Sequence, residues 1–243
     1  MTNYQIIRQQ LYEGASHFNI ALTPDQNDQF TRYFEELRAW NQKFNLTRII
    51  EPSEVVSKHF LDSLTLYPML IGLPDSASLI DVGSGAGFPG IPLKIVMPHL
   101  RVTLLESTGK KCTFLDHVVE TLNLEQVTVV KGRAEDAGQH SEYRQQYHVA
   151  TARAVARLST LAEYLLPFVK IGGSMMALKG QDPAPELNEA RRAIGILGGK
   201  SPRIERVTIP GLDAPRHVVR VTKQKQTPKR YPRRSGTPKK EPL

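Results

Sequence analysis

A single cysteine, Cys112, stands in 243 residues. That excludes an internal disulfide and a zinc site built on cysteine ligands. No stretch approaches the roughly 20 apolar residues that a membrane span needs. The N-terminus, Met1-Thr2-Asn3-Tyr4-Gln5, has neither the basic start nor the apolar run of a secretory signal. The expected compartment is the cytoplasm, which leaves Asn45-Leu46-Thr47 a glycosylation sequon in form only. No internal repeat is present, and no metal-ligand cluster is expected.

Two further absences surround the most informative segment, Leu79-Ile80-Asp81-Val82-Gly83-Ser84-Gly85-Ala86-Gly87-Phe88-Pro89-Gly90. An apolar run ends in an acid, three glycines follow on alternate positions, and a helix-compatible stretch begins. This reads as strand, tight turn and helix start, the nucleotide-binding corner of an open α/β sheet. A dinucleotide fingerprint needs a small residue where Phe88 stands. A phosphate loop needs a lysine after Gly90, where Ile91 stands. A ligand without phosphates is unharmed by both absences. S-adenosylmethionine (SAM) fits, because its carboxylate and ammonium suit a bare backbone turn and a helix start. Glycines such as Gly83 and Gly85 let that turn approach closely.

Arg101–Leu105 reads as the next strand, ending at Glu106, placed to accept hydrogen bonds from ribose hydroxyls. Val127–Val130 reads as a third strand, and the following loop, Gly132 to Asp136, lies beside an adenine in such a sheet.

The net charge of +8 is concentrated at one end. Residues 222–243 hold eight Lys or Arg against one Glu, so the rest of the chain is nearly neutral. A basic arm on a neutral body suggests a polyanion partner; the alternative is a solvated tail. Prolines space the cations Lys229, Arg230, Arg233 and Arg234 and favour an extended arm. Tyr231 can then stack on a base. The expectation is an RNA-contacting arm.

Residues 1–74 read as a helical extension packed on the core. Thr23-Pro24-Asp25-Gln26 is a capping-box helix start, and Phe30, Tyr33, Phe34, Leu37, Trp40 and Phe44 recur at helical spacing as core. Residues 75–222 alternate strand and helix through five parallel strands. Two closing strands, near Arg203–Ile209 and His217–Thr222, pair antiparallel through Pro210-Gly211-Leu212-Asp213. Residues 223–243 form the basic tail. The predicted class is α/β: a seven-stranded, Rossmann-like class I SAM-dependent methyltransferase with an N-terminal helical extension.

These motifs resemble one family, ribosomal RNA small subunit methyltransferase G, also called glucose-inhibited division protein B. The resemblance rests on Asn41-x-x-x-Asn45-Leu46-Thr47, on His59-x-x-Asp62-Ser63, and on the turn running into Phe88-Pro89-Gly90-Ile91-Pro92-Leu93. It continues through Glu106-Ser107-x-x-Lys110-Lys111-x-x-Phe114-Leu115, Arg133-Ala134-Glu135, Thr151-Ala152-Arg153-Ala154-Val155-Ala156 and Ala177-Leu178-Lys179-Gly180. The tail is similar to the branch with a basic C-terminal extension. The resemblance implies methyl transfer from SAM to N7 of guanine 527, in the 530 loop of 16S rRNA. Its implied cofactor contacts are Gly83, Phe88, Ala134, Glu135 and Arg153. Its implied partner is 16S rRNA or a small-subunit precursor, met by a monomer.

Guanine N7 carries a free lone pair, so this chemistry needs no general base and no catalytic residue is expected. His59 and His148 read as structural, as does Cys112, which sits early in a helix rather than in a loop after proline. Arg153, just past the fourth strand, is expected to contact the cofactor carboxylate, a target phosphate or O6, the alternative being an ion pair with Glu106 or Glu135. Lys179, ending the fifth strand, is an RNA-contact candidate. Thr151-Ala152-Arg153-Ala154 stands where enzymes for exocyclic amines carry a [DNS]-P-P-[FYW] motif. Two other functions remain open: a SAM enzyme for another RNA site or a small molecule, and a non-catalytic RNA-binding module.

Overall fold

The computed structural model describes residues 2–153 and 156–243, so Ala154 and Val155 of the T-A-R-A-V-A motif lie outside the described residues. The N-terminal part is α1 (Asn3–Ser16), α2 (Pro24–Phe44) and α3 (Pro52–Val55), then a π-helical turn (Val56–Leu61), α4 (Asp62–Leu64) and α5 (Tyr67–Leu70). The alternating part follows as β1 (Ser78–Val82), α6 (Gly90–Val96), β2 (Arg101–Glu106), α7 (Gly109–Thr121), β3 (Val127–Lys131) and α8 (Ala134–Ala137). It continues with β4 (Tyr147–Arg153), α9 (Leu158–Leu165), β5 (Val169–Lys179), α10 (Ala184–Ile196), β6 (Gly199–Val207), β7 (Arg216–Lys223) and α11 (Thr237–Lys240).

The seven strands form one sheet in the order β3-β2-β1-β4-β5-β7-β6. Strands β1 to β5 pair in parallel, and β7 runs antiparallel between β5 and β6. The predicted sheet of five parallel strands with a terminal antiparallel hairpin is therefore the observed one. Strand order reverses between β1 and β4, which opens a crevice at their carboxyl ends. All five β1 residues are buried, as expected of a central strand covered on both faces.

Both helices that frame the N-terminal part start on a capping box. Thr2 with Gln5, and Thr23 with Gln26, satisfy each other's free amides. The aromatic stripe of α2 is core: Phe30, Tyr33, Phe34 and Leu37 are buried, and Trp40 and Phe44 pack against them. The polar edge of α2 is used as well. Gln26 Nε2 donates to Ile95 C=O at 2.9 Å, and Gln29 Nε2 to Leu122 C=O at 2.9 Å, which satisfies carbonyls at the ends of α6 and α7. One apolar cluster runs from Ile7 through the N-terminal helices to Val102 and Val218 of the sheet, so the N-terminal helices share their core with one sheet face. A second cluster, with α9 and α10, fills the other face.

The tail departs from expectation. It does not extend as an arm but folds back across α8 and α9, with Tyr231 and Pro238 buried. The Arg144 guanidinium donates to the carbonyls of Thr227 and Tyr231, each at 2.8 Å. Proline supplies the bends here, and packing of apolar rings outweighs the preference of an isolated chain for extension. Among the described residues, no helix is long and apolar enough to cross a membrane.

Candidate functional site

The crevice at the carboxyl ends of β1 and β4 is built around the glycine turn. Gly83, Gly85 and Gly87 have φ of 72°, 61° and 99°, the left-handed region that other residues rarely adopt. The turn is tied to β2: Gly83 N–H donates to Leu105 C=O at 2.7 Å, and Gly85 N–H to Glu106 Oε2 at 3.0 Å. The other carboxylate oxygen, Glu106 Oε1, accepts from Thr108 N–H at 2.8 Å. Oε1 also accepts from Ser107 Oγ at 3.4 Å, whereas Oε2 keeps a further acceptor position, so the placement of Glu106 is compatible with the expected ribose contact through Oε2. A Cβ on Gly85 would meet no heavy atom closer than 3.9 Å, so the turn presents bare backbone to open space.

Asp81 is the next-to-last residue of β1, just before this turn. It is fully buried; its Oδ2 accepts from Gly90 N–H at 2.9 Å, while its Oδ1 has no partner. Burial pushes its carboxyl up from 3.8 to about 7, against the opposing pull of the Gly90 amide and the Arg153 charge. Tyr33, from α2, reaches across to donate its hydroxyl to Ala86 C=O at 2.5 Å, so the helical extension braces the turn directly.

Phe88 is buried in a stack. Its ring lies 4.5 Å from that of His59 and 5.3 Å from that of Tyr33, and the Arg153 guanidinium sits 4.8 Å from its centroid. Arg153 itself is held by the N-terminal helices. Its Nη1 donates to Lys58 C=O at 3.1 Å and to Asp62 Oδ2 at 3.2 Å, and its Nη2 to His59 Nδ1 at 3.1 Å. The expected ion-pair alternative named Glu106 or Glu135; the partner found is Asp62, 91 positions away in sequence. Asp62 Oδ1 also accepts from Arg216 Nε at 3.0 Å, which places two guanidiniums on one carboxylate.

An arginine nitrogen can only donate. His59 Nδ1 is therefore the acceptor, and Nε2–H donates to Thr47 Oγ1 at 2.9 Å. Burial first, and the Arg153 charge second, pull the imidazole down to about 3, so it is neutral. Thr47 N–H donates in turn to Asn41 Oδ1 at 2.8 Å. The chain Asn41, Thr47, His59, Arg153 gives the spaced N-terminal motif a physical meaning: it aligns a guanidinium at the crevice mouth.

On the far side of the turn, a cavity of about 210 Å³ is lined by Gly83, Leu105, Ala134, Glu135, Tyr164 and Lys239 among others. Glu135 is buried, and its Oε1 accepts from Gly236 N–H of the tail at 2.8 Å. Gly83, Ala134 and Glu135 thus line one cavity, with the Gly85–Glu106 hydrogen bond next to it in the chain, while Arg153, at the carboxyl end of β4, stacks on Phe88 outside that lining.

These features coincide with a family match. A sequence model described as rRNA small subunit methyltransferase G matches residues 26–218. The chain belongs to this family. A relative named ribosomal RNA small subunit methyltransferase G from Acetivibrio thermocellus is 46% identical over 98% of this chain and 97% of its own. Another with that name, from Lactococcus lactis subsp. cremoris, is 48% identical over 95% and 96%. Among solved structures, a SAM-dependent O-methyltransferase from Thermotoga maritima matches 78% of this chain and 72% of its own, with TM-score 0.50 and 16% identity, a likeness of fold.

Several RNA candidates need correction. Tyr231 is buried in the second core cluster, so its ring offers no face for stacking on a base. Arg233 is committed to Glu163: Nε donates to Oε1 at 2.9 Å and Nη2 to Oε2 at 2.7 Å, with Glu163 fully buried. A buried carboxylate needs such a partner. Lys179 is mostly buried; its Nζ pairs with Glu186 Oε2 at 2.7 Å and donates to Ala156 C=O. Lys229, Arg230 and Arg234 are exposed. His148, as expected, is structural: its Nδ1 accepts from Ser78 N–H at 3.1 Å. Cys112 is buried, and its thiol donates to Glu106 C=O.

Sequence reasoning did not assign site roles to Asp81, His59, Asp62, Tyr33 or Arg216. Asp81 has a local signal, a lone charge in an otherwise apolar strand. The spacing of His59 and Asp62 by three puts both on one helix face, but their partner arginines come from β4 and β7.

Proposed function

We propose that this chain, a cytoplasmic monomer, methylates N7 of guanine 527 in the 530 loop of 16S rRNA, with SAM as methyl donor. Family membership supports an rRNA substrate, the resemblance implies guanine 527 as its target, and the chemistry of the site favours N7. Bound SAM supplies an electrophilic methyl group on a sulfonium.

The residues present fit that cofactor. The bare turn at Gly85 admits close approach, and Asp81 Oδ1 is a buried acceptor without a donor. Glu106 Oε2 keeps an acceptor position for a hydroxyl, and Ala134 and Glu135 close the opposite wall. Phe88 and Arg153 form the mouth.

One observation carries the N7 reading: the histidine at the mouth is not free to act as a base. Both nitrogens of His59 are bonded, and it stays neutral down to a pH of about 3. Methylation of an amine or hydroxyl must dispose of a proton, whereas N7 has none to lose. What the site must do is orient. Alignment of well-held groups contributes up to ~7–11 kcal/mol. The rigid Arg153–Asp62–Arg216 group has a net charge of +1, suited to the target's phosphate or O6. A bidentate arginine on O6 and N7 is ruled out by the reaction itself, because N7 must face the methyl group.

The test is to compare 16S rRNA from cells with and without the gene, by strand cleavage selective for 7-methylguanine. Cleavage at guanine 527 that disappears with the gene is the expected result. Unchanged cleavage there, with a methyl group lost at another nucleotide, would move the activity to another RNA site.

A further inference from the structure

In place of an arm reaching for RNA, the last ten residues of the tail sit on the cavity assigned above to the cofactor. Arg233 is anchored on the buried Glu163. Beyond it, Ser235 Oγ donates to Asp136 Oδ2 at 3.3 Å, and Gly236 N–H to Glu135 Oε1 at 2.8 Å. Thr160 Oγ1 then donates to Pro238 C=O at 3.0 Å, Pro238 is buried, and Lys239 lines the cavity opposite Gly83 and Leu105. The contacts of this segment with α8 therefore fall on Glu135 and Asp136, at the wall of that cavity.

The covered cavity measures about 210 Å³. Small-molecule sites commonly occupy roughly 300–1,000 Å³, so this cavity as it stands is small for a ligand with both an adenosine and an amino acid part, and Lys239 of the docked segment is one of its walls. The segment is also poorly suited to stand alone. Its helix is four residues long, far below the length that is stable in isolation. Gly236 has φ of 87°, a conformation that glycine adopts without strain. Arg234, Ser235, Lys239 and Lys240 face solvent. Arg233 holds both ends of the segment, through the buried Glu163 on one side and through the Glu241 carbonyl, which accepts from its Nη2 at 2.7 Å, on the other.

We propose that residues 234–240 are a strap over the cofactor cavity, hinged next to Arg233, which lifts from α8 and α9 to admit or release the cofactor. Lys239 and the Gly236 amide then belong to the cofactor site. This assignment rests on the reading of that cavity as the SAM site. The strap slows both entry and release, because its hydrogen bonds with Glu135, Asp136 and Thr160 must break first.

Two proteins test it, each by the association and dissociation rates of radiolabelled S-adenosylhomocysteine, without RNA. The first ends at Arg233, keeping the Glu163 anchor and losing the strap. The second carries D136C and S235C, whose native side chains already touch, so oxidation locks the strap down. The truncated protein is expected to release the ligand about tenfold faster than the full chain, and the oxidised double variant to bind and release it about tenfold slower than its reduced form. Equal rates in full-length and truncated proteins would overturn the strap while leaving the cavity assignment intact. If the full chain itself fails to bind the ligand, the cavity assignment has failed and the strap proposal falls with it.

Discussion

Asp62 accepts from Arg153 through one carboxylate oxygen and from Arg216 through the other, at 3.2 and 3.0 Å. The carboxylate comes from the start of a three-residue helix, one guanidinium from the end of β4 and the other from the start of β7. A single acid thus fixes the crevice mouth from three directions.

Asp62→Asn keeps the shape and removes the charge. Two guanidiniums then face each other across a neutral amide. Hydrogen bonds to charged groups contribute about 1.5–3 kcal/mol each. A loss of stability of that order in urea unfolding is expected, together with a fall in methylation rate larger than any change in cofactor affinity. An unchanged rate would show that the alignment of Arg153 does not matter to the reaction.

Glu106→Ala removes the acceptor that holds the Gly85 and Thr108 amides as well as the expected ribose contact. Calorimetry with S-adenosylhomocysteine should show affinity weakened by about 1.5–3 kcal/mol. Glu106→Gln retains one acceptor oxygen and should fall between the two. Wild-type affinity in the alanine variant rejects the role.

Lys223 gives a pH dependence. It is buried, and its ammonium donates to Leu166 C=O at 2.6 Å and Leu197 C=O at 3.1 Å, at the ends of α9 and α10. Burial first, and the Arg144 charge second, pull it down from 10.5 to about 7. The folded value lies below the unfolded one, so between about 7 and 10.5 the unfolded chain binds more protons. Stability therefore rises with pH across that window. From about pH 7 to about pH 9 the wild type should gain roughly 2 kcal/mol relative to Lys223→Met, measured by denaturant unfolding of both. Parallel curves would show that the ammonium stays charged.

The exposed tail cations remain RNA candidates in their own right. Replacing Lys229, Arg230 and Arg234 with alanine together should weaken rRNA binding. The slope of log affinity against log salt should fall by about 0.7–0.9 for each phosphate that is no longer neutralised. An identical slope would mean that none of the three touches RNA. Deletion of the whole tail is the poorer experiment, since it also takes Lys223 and Tyr231 out of the core.

Much of the fold is legible in the sequence wherever the signal is local. The strand, the glycine turn and Glu106 follow one another within 28 residues of Leu79, and each has a fixed place in an open α/β sheet. The Thr23 capping box and the β6–β7 hairpin are also short-range patterns. The partner of Arg153 is not legible, because Asp62 reaches it only after the helices have docked on the sheet. The tail misleads for a related reason. Its prolines and cations describe an extended chain in isolation. The groups that recruit it, Glu163, Arg144 and Glu135, are scattered through residues 135–163 and become one surface only in the fold.

The central claim is that the turn from Gly83 to Gly87 seats a sulfonium donor between Glu106 and Ala134. A crystal of the protein soaked with S-adenosylhomocysteine tests it most directly. Density is expected along that turn, with the ribose hydroxyls on the Glu106 carboxylate and the strap displaced or reordered above the adenine. Density at another surface, with the turn left bare, would contradict it.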